Sequence, residues 1–172
     1  QYSFIEPVLT QRLESEKVDE EYSALFFMSI GVSMIFACHF SHYIENLLGY
    51  KSSMQMSMIM LGIICSLMGP FPFFFIPHAL WPTGILCLIA GFFEGVCLVP
   101  VVSEIMRVHS HFPDKESLND YACGLFTTFY ALGDILGPIT GNALYLNFGF
   151  AWTCNIIGGI IILVGLAYIL FC

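Results

Sequence analysis

Five stretches of this chain, 22–42, 53–69, 81–109, 118–145 and 151–172, are long and apolar enough to cross the ~30 Å hydrocarbon core of a bilayer as helices. A sixth, 1–14, reads like part of another. Hydrocarbon offers backbone groups no water, so a spanning segment must satisfy them internally, and a helix does this within one segment. The fold class predicted is therefore an all-α membrane protein. Composition agrees, since 58% of the 172 residues are hydrophobic and only 10% are charged, and a soluble domain of this size has no use for so much apolar surface. The opening residues, QYSFIEPVLTQRL, read like the end of a helix already under way, which predicts that the chain is part of something longer.

The polar stretches set the order of crossing. The run ESEKVDEE at 14–21 is a solvated loop. The segment HYIENLLGYKSS joins the 22–42 and 53–69 spans, and GPFPFFFIPHALWP, with its four prolines, is an irregular stretch whose aromatics suit a membrane interface. The 81–109 span reaches ~40 Å at ~1.5 Å per residue, so it tilts or extends past the lipid. Glu104 and Arg107, three apart near its end, are placed to pair. Lys51, Arg107 and Lys115 fall on one side and Arg12 and Lys17 on the other, a bias that predicts the first side to be cytosolic.

Several functions are excluded. A formal charge of -8, from thirteen acids against five Lys and Arg, provides no basic face for nucleic acid. Six of the seven cysteines lie in apolar runs, Cys123 starts one, and no CxxC occurs, so they are expected to be small buried hydrophobes. His39 and His42 make an H-x-x-H pair with no third ligand in reach, so no metal site is predicted. No motif implies a cofactor, and no nucleophile–base constellation suggests an enzyme.

The chemistry is expected in two acids deep in apolar sequence, Glu94 and Asp134. An ionised carboxylate at the centre of a membrane helix costs at least ~2.5–3.5 kcal/mol, so it normally faces a bundle interior or a water-filled path. Low dielectric disfavours a carboxylate's charge, so such a group can exchange protons near neutral pH. Ionised, it can bind a cationic amine. One group can thus serve proton and substrate in turn; the alternative is a structural acid, protonated or hydrogen-bonded at a helix interface. The two acids lie on sequential antiparallel spans and can reach one depth. Glu6, beside Pro7, either faces a cavity or lies near the surface.

Around Asp134 the sequence reads GDILGPITG. Gly133, Gly137 and Gly141 recur at steps of four, forming one stripe on the helix, with Pro138 inside the row; small residues there let a neighbouring backbone approach. Asp134 lies about 100° around the helix from that stripe, at its edge. Thr127 and Tyr130 share its face and are candidates to line a cavity, although interhelical packing is the commoner role. Gly91 and Gly95 flank Glu94 in the same small-xxx-small manner.

These residues resemble a known family. GLFTTFYALGDILGPITGNALYLNFGFAW is similar to the eleventh helix and following turn of major facilitator transporters, closest to the vesicular amine and polyamine transporter group. GFFEGVCLVPVVSEI resembles the tenth helix of that group and FIEPVLTQRLE the seventh. The resemblance implies a six-helix half of a twelve-helix major facilitator fold, from the end of helix seven to helix twelve. It implies a proton-coupled antiporter for a small organic cation, working by alternating access in an organelle or vesicle membrane. The partners would be the bilayer, protons, the cation, and an N-terminal six-helix half in the same chain or another subunit. Glu94 and Asp134 occupy the helices whose acids matter in that group. Its loop motif after the eighth helix is matched by Gly49 and Lys51, but His42 stands where Gly is expected and Asn46 where Asp is. That departure, together with the half-sized cavity, leaves an alternative of another class: a transporter-derived structural subunit of a large membrane complex.

Overall fold

A computed structural model of the chain describes residues 2–16, 18, 20–69, 80–109 and 114–171. Within these residues the elements are helical. A 3-10 turn, Tyr2–Phe4, leads into α1, Ile5–Ser15. The rest is α2, Glu20–Leu48, α3, Tyr50–Met68, α4, Leu80–Val108, and α5, Lys115–Phe171. Helices α2 to α5 are all long and apolar enough to cross a membrane. The proline-rich segment between α3 and α4, Lys17, the 110–113 stretch and Cys172 lie outside the described residues.

Two single glycines turn the chain. Gly49 (φ 81°) joins α2 to α3, and Gly149 (φ 78°, ψ 174°) interrupts the 57-residue α5, dividing it into two spans, 115–148 and 150–171. Both have positive φ, which glycine adopts without the steric cost other residues meet. Gly49 also bonds into both helices, its N–H to Glu45 O at 2.8 Å and its carbonyl to Ser53 N–H at 3.0 Å. At the start of α5 the Asp114 carboxylate accepts from the Ser117 hydroxyl at 3.1 Å and from the Ser117 and Glu116 amides at 3.4 Å. This N-cap starts the helix three residues before the apolar run. The Ser117 hydroxyl first, then the amides, hold the Asp114 carboxyl below the usual carboxylate range.

Glycines also set the packing. Helices α2 and α4 run parallel: a Cβ on Gly95 would lie 2.7 Å from Ala37 Cβ and 2.9 Å from Met34 O, and one on Gly91 would strike the Ile30 carbonyl. Helix α3 runs antiparallel to 150–171, with Gly62 against Gly158 and Gly165 against Ile59. Helix α1 runs parallel to 115–148, and Gln11 Nε2 donates to Asn142 Oδ1 at 2.7 Å.

The apolar side chains of the shortest helix, α1, and of the turn before it are among the most deeply buried. Phe4, Ile5, Val8, Leu9 and Leu13 are buried against Leu61, Ile64, Cys65 and Met68 of α3, Cys87 and Ala90 of α4, and Cys154. Pro7 does not kink α1 here. It sits in the first turn, where its missing N–H would have had no helical partner. At one end of the bundle Arg12 joins three elements: Nη1 donates to Met68 O at 3.3 Å, Nε to Glu16 at 3.3 Å, and the guanidinium stands 4.3 Å from the Phe150 ring centre.

Candidate functional site

The first turn and four helices converge on a cavity of about 410 Å³, open on one side. The first turn and α1 contribute Ser3, Ile5 and Glu6; α2 contributes Phe27, Ile30, Gly31 and Met34; α4 contributes Glu94; α5 contributes Tyr130, Asp134 and Pro138. The three acids singled out in the sequence therefore share one space. Glu6 lines the cavity and is also exposed, so both readings open for it hold in part. Glu94 is carried there by the Gly91 and Gly95 contact, which holds α4 close against α2. Pro138 has a local consequence, because it lacks the N–H that would pair with the carbonyl of Asp134 four residues earlier. The acid thus brings a backbone oxygen without its usual helical partner.

The described lining residues carry a single charge sign. Among the described residues the lining includes three carboxylates and no Lys or Arg, with aromatic rings from Phe27 and Tyr130. Such a wall focuses a negative potential and favours cations, and aromatic faces add to that preference. Asp134 and Glu6 are exposed at the open side and Glu94 is half-buried.

Two expectations need adjustment. Thr127 does not line the cavity; its hydroxyl donates to Cys123 O at 2.8 Å. It shares the helix face of Asp134 but lies seven residues away, ~10 Å along the axis. Tyr130, at four residues, is at the right depth. The glycine stripe docks against the 3-10 turn, not against a long helix: Gly137 and Gly141 receive Ser3 and Phe4, and Gly133 is half-buried one turn away.

Sequence reasoning missed Ser3, whose hydroxyl donates to Asp134 Oδ1. Its signal was weak, a serine one turn before Glu6 in a segment too short to read as a full span. It also missed the contribution of α2, although 27, 30, 31 and 34 have the spacing of one helical face.

Lys51 lies at the end of the bundle opposite Arg12, where it lines a shallow pocket with Gly49, Glu104 and Arg107. Glu104 accepts from Arg107 Nη2 at 2.6 Å and Nε at 2.7 Å, the bidentate form of the expected pair. The carboxylate absent at Asn46 thus has a counterpart beside Lys51 on α4. Among the described residues, no cluster of three His, Cys, Asp or Glu could hold a metal ion.

The fold and cavity together define the class: a multi-pass, all-α integral membrane protein with an acidic cavity between its helices. Within that class the chain is similar to the MFS-type transporter SLC18B1 of Homo sapiens, 26% identical over 178 residues, which is 99% of this chain and 38% of that protein. It is similar to the same transporter of Rattus norvegicus, 32% identical over 107 residues, 61% of this chain and 24% of that protein. It is also 26% identical to the Mus musculus protein over 179 residues. The resemblance to major facilitator transporters near the vesicular amine and polyamine group is borne out, as is an all-α membrane architecture. The chain spans about 38% of the length of the human relative. No family model matches the chain, and no solved structure matches it.

Proposed function

We propose that this chain is the C-terminal half of a proton-coupled secondary transporter, which exchanges protons for a small organic cation, an amine or polyamine, by alternating access. The observation that carries the reading is the convergence of Glu6, Glu94 and Asp134 on one cavity, with no basic side chain among the described residues that line it. Glu94 and Asp134 bind proton and cation in turn, and Glu6 adds a third negative site. Tyr130 and Phe27 supply aromatic faces for the cation. An N-terminal six-helix half, in the same chain or another subunit, covers the open side. Rocking of the two halves then exposes the cavity to either face of an organelle or vesicle membrane.

The test is uptake of labelled amines and polyamines into proteoliposomes that hold the full-length protein and a proton gradient. Asp134→Asn and Glu94→Gln are each expected to abolish gradient-driven exchange and leave the protein folded. Undiminished exchange in both variants would remove these acids from the mechanism. If the full-length protein carries none of these cations and purifies only in a stoichiometric complex, the structural-subunit alternative replaces transport.

A further inference from the structure

Asp134 sits at the open side of the cavity, where a flexible carboxylate has several rotamers. The structure gives it a partner from another element, the Ser3 hydroxyl, which donates to Oδ1. The hydroxyl is brought there by the glycine stripe. A Cβ at Gly141 would lie 2.9 Å from the Phe4 carbonyl oxygen and 3.0 Å from Phe4 Cβ. One at Gly137 would lie 3.1 Å from Phe4 N and 3.2 Å from Ser3 Cβ. Only a helix face without side chains admits the backbone of the 3-10 turn so closely. Phe4, 2% exposed, then anchors the turn in the core. Gln11 and Asn142 fix α1 to the same span further along, at 2.7 Å. Ser3 is thus held by the two contacts that follow it in the chain.

We infer that Ser3 is a positioning residue for Asp134: it selects the carboxylate orientation that presents the second oxygen to a cation in the cavity. The inference rests on the reading of Asp134 as a coupling acid. The other titratable groups in the cavity are Glu6 on α1, Glu94 on α4 and Tyr130 on the same span; α2 contributes only Phe27, Ile30, Gly31 and Met34. Glu6 and Glu94 cannot donate a hydrogen bond to Asp134 while ionised, and the hydrogen bond the structure gives its carboxylate comes from Ser3, not from the Tyr130 phenol. The glycine stripe, the buried Phe4 and the serine therefore form one device. The stripe admits the turn, Phe4 anchors it, and the hydroxyl reaches the acid.

The experiment has two arms on the full-length protein in lipid. In the first, the carboxylate stretching band of Asp134, assigned by its loss in Asp134→Asn, is followed by infrared difference spectroscopy. It is expected to shift in Ser3→Ala and to return in Ser3→Thr. In the second arm, Ser3→Ala is expected to raise the KM for the transported cation about tenfold, the effect of losing one hydrogen bond to a charged group, and to change the maximal rate about twofold or less. Ser3→Thr restores the KM. An Asp134 band identical in Ser3→Ala and wild type overturns the inference. A maximal rate that falls as far as the affinity also overturns it, since that marks a general structural defect. If Ser3→Ala fails to fold, Gly141→Ala decides, because its Cβ must displace Phe4 and with it Ser3. The Asp134 band then shifts with the hydroxyl still present, and no shift overturns the inference. Wild-type protein that carries no cation, with a band that still responds to Ser3→Ala, removes the transport reading and leaves the Ser3–Asp134 coupling standing.

Discussion

Two of the glycine seams in this bundle differ in what lies beside them. In the first, α3 meets the 150–171 span with Gly62 opposite Gly158. A Cβ on Gly62 would lie 2.8 Å from the Gly158 carbonyl, and one on Gly158 2.6 Å from that of Gly62. Its neighbours are Ile162 and Ser66, and the Ser66 hydroxyl turns back to its own helix, to Gly62 O at 3.0 Å. In the second, Gly137 and Gly141 admit the 3-10 turn just as closely, but Asp134 and Pro138 stand next to them on a cavity wall. Close backbone approach is common to both seams and is a packing device in each. The chemistry comes from the adjacent acid, and from the polar group that the close approach delivers to it.

The sharpest way to break this comparison is to overfill each seam. Gly158→Leu must push apart two backbones that have no room to give, and the expected result is a loss of about 3 kcal/mol or more, at or beyond the upper end for overpacking. Thermal unfolding in detergent, read by the fraction of monodisperse protein, checks it. Gly141→Ala should cost far less stability and act instead on the Asp134 environment. Equal destabilisation by Gly141→Ala and the size-matched Gly158→Ala would show that the seams are equivalent. A middle-sized effect is expected where the ends of the helices meet. Arg12→Ala removes a carbonyl bond to Met68 and a cation–π contact with Phe150 from a well-buried position. The expected cost is about 1–2 kcal/mol in the same unfolding assay, with exchange by the remaining folded protein intact.

The smallest effect belongs to Asp114, at the other end of α5 and remote from both seams. Its carboxyl is held below the ordinary carboxylate range by Ser117 and the first amides of the helix. Its capping contribution is therefore present above that range and is lost as pH falls through the lowered value. Asp114→Ala should speed amide hydrogen exchange at Glu116 and Ser117 at neutral pH. The difference from wild type should vanish in strong acid, where the native carboxyl is protonated as well. A difference that persists in acid would argue against a charged cap.

Much of the site could be read from the sequence because its signals are local. Glu94 and Asp134 stand out as carboxylates in apolar runs, and a single residue suffices to notice each. The glycine stripe is visible as a period of four. Depth was harder: Thr127 and Tyr130 have the same angular claim to the face of Asp134, and only the second is close enough along the axis to reach the cavity. Ser3 was hidden because its partner lies 131 residues away. Lys51 was read against a missing aspartate at Asn46, whereas the carboxylate beside it, Glu104, comes from another helix.

By itself the sequence determined that this chain crosses a membrane as helices, and that two of its acids need an environment other than lipid. Hydropathy and backbone hydrogen bonding are decided within a segment, so a linear reading reaches them. Only the tertiary structure decided that the short α1 buries its apolar side chains in the core, that Glu6 joins the other two acids, and that the stripe beside Asp134 receives a serine. Lipid tails are as apolar as the helices themselves, so helix pairing in a membrane depends on close steric fit between particular small residues and their partners. That fit belongs to pairs of segments, and its outcome at Asp134 exists only once Gly137 and Gly141 have met Ser3 and Phe4.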